Sequence, residues 1–300
     1  MKRKKLTASM IALVMSVSLP MTTYAANWYL EDGSVTVNAD NSGQTVTQGS
    51  NPAVSDEAPV ITQRESSVET GNTIAISTSD NATANVTIKD INIKSSKDAI
   101  DVTGSSSANI TLEGDNKIFS ETGSALHVSD GNVTINGSGS LKAEIQDDLG
   151  SDYNHNAKIG SHEKEAMSGS IHITGDATVK TDNNIAPDCG GDGAGIGSGE
   201  DGEMSGNIVI DGNAQVEVSS NDQGAGIGSG DDGNLRGNIM IGGNAQVSAT
   251  GAENSAGIGT GDDGNFTGSI TIDGNAKVTA KASGDHDDSA GSGIGTGCAG

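Results

Sequence analysis

Three acidic pairs recur at a fixed step. Glu200-Asp201, Asp231-Asp232 and Asp262-Asp263 are each followed by glycine and lie 31 residues apart. If each 31-residue unit is one coil of a stacked β-structure, the pairs align at about 4.8 Å per coil. Carboxylates that close raise one another's pKa unless a cation intervenes. Calcium takes about 6–8 hard oxygen ligands, which such a column and its backbone carbonyls can supply. The six acids are therefore candidate calcium ligands. The competing expectation is that Asp-Gly is simply good turn chemistry, since both residues tolerate tight corners. The calcium nonapeptide pattern fits poorly, and EF-hand spacing is absent.

Other chemistry is thin. His127, His155, His162, His172 and His286 show no metal-ligand spacing and read as solvated or turn residues. A β-eliminating lyase wants a strong base beside calcium carboxylates. Arg64 and Arg236 are the arginines outside the first few residues, and Arg236 occupies a variable repeat position shared with Ser205 and Thr267. Acids abound, but no pair stands out for glycoside hydrolysis. The Gly-x-Gly runs lack the lysine and following helix of a phosphate loop. No catalytic residue and no bound organic cofactor are expected.

The elements that must position these residues are short strands. Gly195-Ile196-Gly197-Ser198-Gly199 returns at Ile227, Ile258 and Ile294, with a weaker form at Ile159. Within a unit, Ile208 and Ile210 flank Val209, and Ala214, Val216 and Val218 alternate with Gln215 and Glu217. Period-2 alternation marks strands with one buried face. Gly-Asn and Asp-Gly pairs separate them as turns. Upstream, Val86-Thr87-Ile88 aligns with Ile110-Thr111-Leu112 and then with Val133-Thr134-Ile135. Ile100-Asp101-Val102 matches Leu126-His127-Val128. Asn213, Asn244 and Asn275 form a further 31-residue series suited to amide stacking.

The expected fold is all-β: a right-handed parallel β-helix, or solenoid, with about one three-stranded coil per 23–37-residue repeat. Handedness follows the usual rule for parallel crossovers. The helix should run over 72–300, with glycine-rich repeats from about 157. A β-rich cap segment over 26–71 precedes it, with Trp28 as the lid. The chain stops at Gly300 soon after a fresh repeat. That edge should be continued by further chain or pair with something, end-to-end self-association included.

Residues 1–25 read as a signal peptide. Lys2, Arg3, Lys4 and Lys5 precede an apolar run from Met10 to Leu19, and Thr23-Tyr24-Ala25 offers a cleavage site. The run is too short to span a membrane, which takes about 20 residues. Removing the segment leaves 12 Lys+Arg against 40 Asp+Glu, a net charge of −28. Such a chain repels nucleic acid and anionic membranes. Aromatics are 2% of the composition, so ring stacking on neutral sugars is disfavoured. Cys189 and Cys298 lie three repeats apart, too far to bridge within one molecule if each repeat is a coil.

The leader, the Asn27-Trp28 start, Ala58-Pro59-Val60-Ile61-Thr62, and the Gly-Ala-Gly-Ile-Gly-Ser-Gly repeats with Gly-Asn-Ile-Val-Ile together carry a resemblance. The chain resembles the β-helical carbohydrate-binding-domain surface proteins of Gram-positive, often gut, bacteria. The resemblance covers nearly all of the mature chain and transfers no individual binding residue. It implies a secreted, cell-surface-associated, carbohydrate-binding or adhesin-like protein. The partner would be a polysaccharide or a host or bacterial surface glycan, with calcium assisting at acidic polysaccharide. A polysaccharide lyase or hydrolase on a pectate-lyase-like β-helix is the alternative, and a structural surface spacer is another.

Overall fold

Alternating apolar residues build strands here because each coil offers the next one an identical apolar face. The computed structural model describes residues 26–146, 153–181, 191–220, 222–283 and 291–298. The expected signal peptide, Cys189 and His286 lie outside these residues.

The chain winds through three sheets in turn. Ile74–Thr78 belongs to the first, Thr83–Lys89 to the second and Asn92–Ser95 to the third; Ile100–Thr103 then returns to the first. The same cycle repeats to Ile294–Gly295. Among the described residues the sheets hold eleven, nine and seven strands, and successive coils pair in parallel. This is a parallel β-helix with one three-stranded coil per repeat.

Its core is a set of ladders. In the first sheet Ile74, Ile100, Leu126, Ile159, Ile196, Ile227 and Ile258 stack directly on one another. None is more than 1% exposed. Full burial of such a side chain contributes roughly 1.5–3 kcal/mol. In the third sheet Leu141, Val179, Val216 and Val247 do the same. Branched aliphatics fill this narrow interior, which explains the scarcity of rings.

The register corrects one alignment. Ile110 pairs with Val86 as expected, but its partner in the next coil is Ile135, and Val133 pairs with Ala108. A slip of two residues keeps the same face buried, so alternation alone cannot detect it.

The glycines after each ladder isoleucine have a specific cause. Gly160, Gly197, Gly228 and Gly259 take φ between +142 and +146°. A Cβ there would lie 1.7 Å from the carbonyl oxygen of the next coil's glycine. Only glycine allows coils to close up at this corner.

The segment over 26–71 already pairs with the solenoid. Asn27–Tyr29 runs parallel to Val60–Thr62, and Val35–Asp40 runs parallel to Ile74–Thr78. Gly43–Gln48 then folds back antiparallel on Val35–Asp40 and covers that sheet edge. Trp28 packs on the core, and its Nε1 donates to Asp56 Oδ2 at 2.8 Å.

Candidate functional site

The acidic pairs sit on a corner that the backbone clamps. Ser198 Oγ donates to the Gly202 carbonyl at 2.8 Å, and Ser229 does so to Gly233 at 2.7 Å. Each hydroxyl closes one five-residue turn. The second acid of each pair, Asp201, Asp232 and Asp263, holds φ of 49–56° at the tip. Aspartate tolerates this left-handed conformation better than most residues. The tips stack: the Asp201 N–H donates to the Asp231 carbonyl at 2.9 Å, and the Asp232 N–H to that of Asp262 at 3.0 Å.

The first acids, Glu200, Asp231 and Asp262, face a column that the repeat motif does not contain. The Glu200 N–H donates to the His155 carbonyl at 3.0 Å, that of Asp231 to Asp192 at 2.9 Å, and that of Asp262 to Gln223 at 3.0 Å. The structure therefore separates the six predicted acids into two rows. It also adds Asp192 and His155 to the inner one. Asp192 Oδ2 and Glu200 Oε2 lie 2.9 and 2.6 Å from His155 Nδ1.

The inner row is short of positive charge. Burial, reinforced by Asp192, Asp232 and Asp262, pushes the Asp231 carboxyl up to about 7. Burial also raises Asp192 and Glu200, and His155 does not fully offset it. Asp262 is raised chiefly by burial as well. Carboxylates left in this condition favour a bound cation or proton.

Among the described residues, His127, His155 and His162 are not the solvated turn residues expected from their spacing. His127 is 7% exposed and stacks on His162, with ring centroids 4.0 Å apart and planes 6° from parallel. Its Nδ1 meets Asp101 Oδ1 and its Nε2 meets Glu165 Oε2, both at 2.8 Å. Asp101 is its register partner in the preceding coil, so coil stacking itself creates the pair. Burial opposes the charged ring, but the two carboxylate hydrogen bonds prevail and raise His127 to about 9. His162 Nε2 meets Asp98 Oδ1 at 2.8 Å. Its hydrogen bond overcomes the effect of burial and holds the Asp98 carboxyl below the usual range. His172 lies on the second sheet, 3.0 Å from Asp211. Among the described residues, two groups have the composition and convergence of a metal centre. They are Asp98 with His127 and His162, and His155 with Asp192 and Glu200.

A different surface gathers the basic residues. The outer face of the third sheet carries Lys94, Lys117, Lys142, Lys180, Lys277 and Lys281, half of the 12 lysines and arginines after residue 25. Lys117, Lys142 and Lys180 are direct register partners. Lys142 pairs with Glu144 and Lys180 Nζ with Glu217 at 2.7 Å. Lys94 Nζ lies 5.4 Å from the Phe119 ring centroid. Three cavities of about 300, 250 and 390 Å³ follow this face along the solenoid, lined from Asn92 through Lys142 and Lys180 to Lys277.

A scan against family models finds no match, and neither curated proteins nor solved structures yield one. No helix among the described residues is long and apolar enough to cross a membrane.

Proposed function

We propose that this chain is a secreted, cell-surface-associated protein that binds acidic polysaccharide, and does so without turning it over. The observation that carries the reading is the in-register row Lys117, Lys142 and Lys180 on the outer face of the third sheet. Same-sign charges in neighbouring strands repel one another. Concentrating them on one face of a chain with net charge −24 makes sense if that face meets an anion. A single exposed ammonium–carboxylate pair contributes about 0–1 kcal/mol. A polymer engages several at once, and the linked contacts multiply. The cavities give the polymer a track along the solenoid axis. Phe119 offers one ring beside it.

Calcium belongs to the proposal at the histidine-free part of the acidic corner, Asp231, Asp232, Asp262 and Asp263. There the ligands are all oxygens, as calcium prefers. The charged corner and the lysine row lie on different faces, so calcium would steady the solenoid rather than contact the glycan at the lysines.

An array of acidic and neutral glycans, with and without calcium, tests the reading. Assays for unsaturated uronides and new reducing ends run beside it. Binding of uronate polymers without turnover is expected. Turnover would move the protein to the lyase or hydrolase class, and neither result would leave a structural spacer.

A further inference from the structure

We propose that His155 Nδ1, Asp192 Oδ2 and Glu200 Oε2 form a binding site for a divalent transition-metal ion of the zinc type, a site distinct from both the glycan track and the all-oxygen corner. The three ligand atoms converge on one point: both carboxylate oxygens lie within 2.9 Å of the same ring nitrogen. One nitrogen carries at most one proton, so a single N–H meets both carboxylates only by sharing that proton in a bifurcated hydrogen bond. The Asp192 N–H also points to Nδ1, at 3.4 Å, which suits a nitrogen offering its lone pair. A doubly charged ion satisfies all three groups together. Around a tetrahedral ion at about 2.0–2.2 Å, ligand atoms stand roughly 3.3 Å apart, so each carboxylate need withdraw by under about 1 Å.

The ligands are held before any ion arrives. Asn154, 3% exposed, anchors the segment bearing His155 by donating to the Gly123 carbonyl at 3.0 Å. Tyr153 packs edge-on against the His155 ring, with centroids 6.2 Å apart. The Glu200 N–H donates to the His155 carbonyl, and Asp192 Oδ1 accepts from the Gln223 N–H at 3.3 Å. The Asp192 carboxylate thus has an outer hydrogen bond of the kind metal sites use, and the backbone that carries His155 and Glu200 is tied down. The side chains are 16–22% exposed, open enough for an ion to enter.

Imidazole nitrogen selects the ion. Calcium and magnesium prefer oxygen ligands, whereas nitrogen with carboxylate suits zinc and its neighbours. The other histidine cluster does not compete. A metal lies in the plane of the imidazole that binds it. The parallel rings of His127 and His162, 4.0 Å apart, cannot both hold one ion in plane. Both nitrogens of His127 are already committed to Asp101 and Glu165.

The test uses the full chain with Cys189 and Cys298 replaced by serine, stripped with chelator. Zinc chloride is titrated at pH 7 by calorimetry, with calcium chloride in parallel. One zinc per chain is expected, with calcium at least tenfold weaker at this site. His155→Ala and Asp192→Asn should each weaken zinc at least tenfold, and His127→Gln should leave it unchanged. Zinc should also raise the melting temperature of the parent but not of His155→Ala. The inference is overturned if no zinc binds, if both His155→Ala and Asp192→Asn bind it as tightly as the parent, or if His127→Gln is the variant that loses it.

Discussion

Raising the pH through 9 removes a proton from His127, and the structure assigns that proton a stabilising role. The His127 side chain is 9% exposed and sits between Asp101 and Glu165, with Asp98 and His162 beside it. Its pKa rises from 6.5 to about 9 on folding. A group raised in this way contributes fully below pH 6.5, and the contribution is lost as pH climbs through 9. At about 1.4 kcal/mol per unit, the shift corresponds to a ceiling of about 3.5 kcal/mol. Asp101 and Glu165 are 39% and 37% exposed, so solvent screens the interaction. A working value is then about 1–2 kcal/mol. For a chain of this size that is roughly 2–8 °C in melting temperature. The assay compares wild type with His127→Gln from pH 6 to 10 by thermal denaturation. Wild type should lose that much more than the variant across the window. Proton NMR should place the ring titration near 9. A midpoint near 6.5, or parallel melting curves, would refute the reasoning.

Gly228→Ala should destabilise by several kcal/mol, on the order of 3, because its Cβ would meet the Gly259 carbonyl oxygen at 1.7 Å in a φ region that L-residues avoid; denaturant titration checks this. Ile227→Ala opens a cavity in the central ladder and should cost about 2–5 kcal/mol in the same assay. Asn244→Ala should cost under about 1.5 kcal/mol, because it breaks an exposed amide ladder in which Asn244 donates to Asn213 at 3.0 Å and Asn275 donates to Asn244 at 3.1 Å. Calcium should raise the melting temperature, and alanine at Asp232 and Asp263 together should abolish the rise; an unchanged curve on chelation would mean that the turns are only turns.

The ladders and the acidic turns were legible because identical residues return at the coil period. Ile196, Ile227 and Ile258 occupy equivalent positions, as do Asn213, Asn244 and Asn275. The match of Ile100-Asp101-Val102 to Leu126-His127-Val128 was also correct, and it contained the His127–Asp101 pair without revealing it. The inner column was illegible for the opposite reason. Its members are His155, Asp192, Gln223 and Asn254, four residue types at one structural position. Periodicity reports sameness, and this column differs at every coil. Segments of unequal length also separate these residues from the turns that they face. His127 and Glu165 are 38 residues apart, a distance that only the stacked corner makes short. The lysine row was hidden in a similar way: Lys117, Lys142 and Lys180 follow unequal steps of 25 and 38, and only the register aligns them.

The most direct test of the account is the affinity of the purified protein for polygalacturonate, measured against a triple variant with Lys117, Lys142 and Lys180 each replaced by alanine. The three ammoniums lie on an exposed face, so the variant should fold and melt like wild type. Its affinity should fall at least tenfold, and wild-type binding should weaken steeply as salt rises. A neutral galactan should bind neither protein. Equal binding of polygalacturonate by the well-folded triple variant, or binding indifferent to salt, would contradict the proposal that this face is the glycan track.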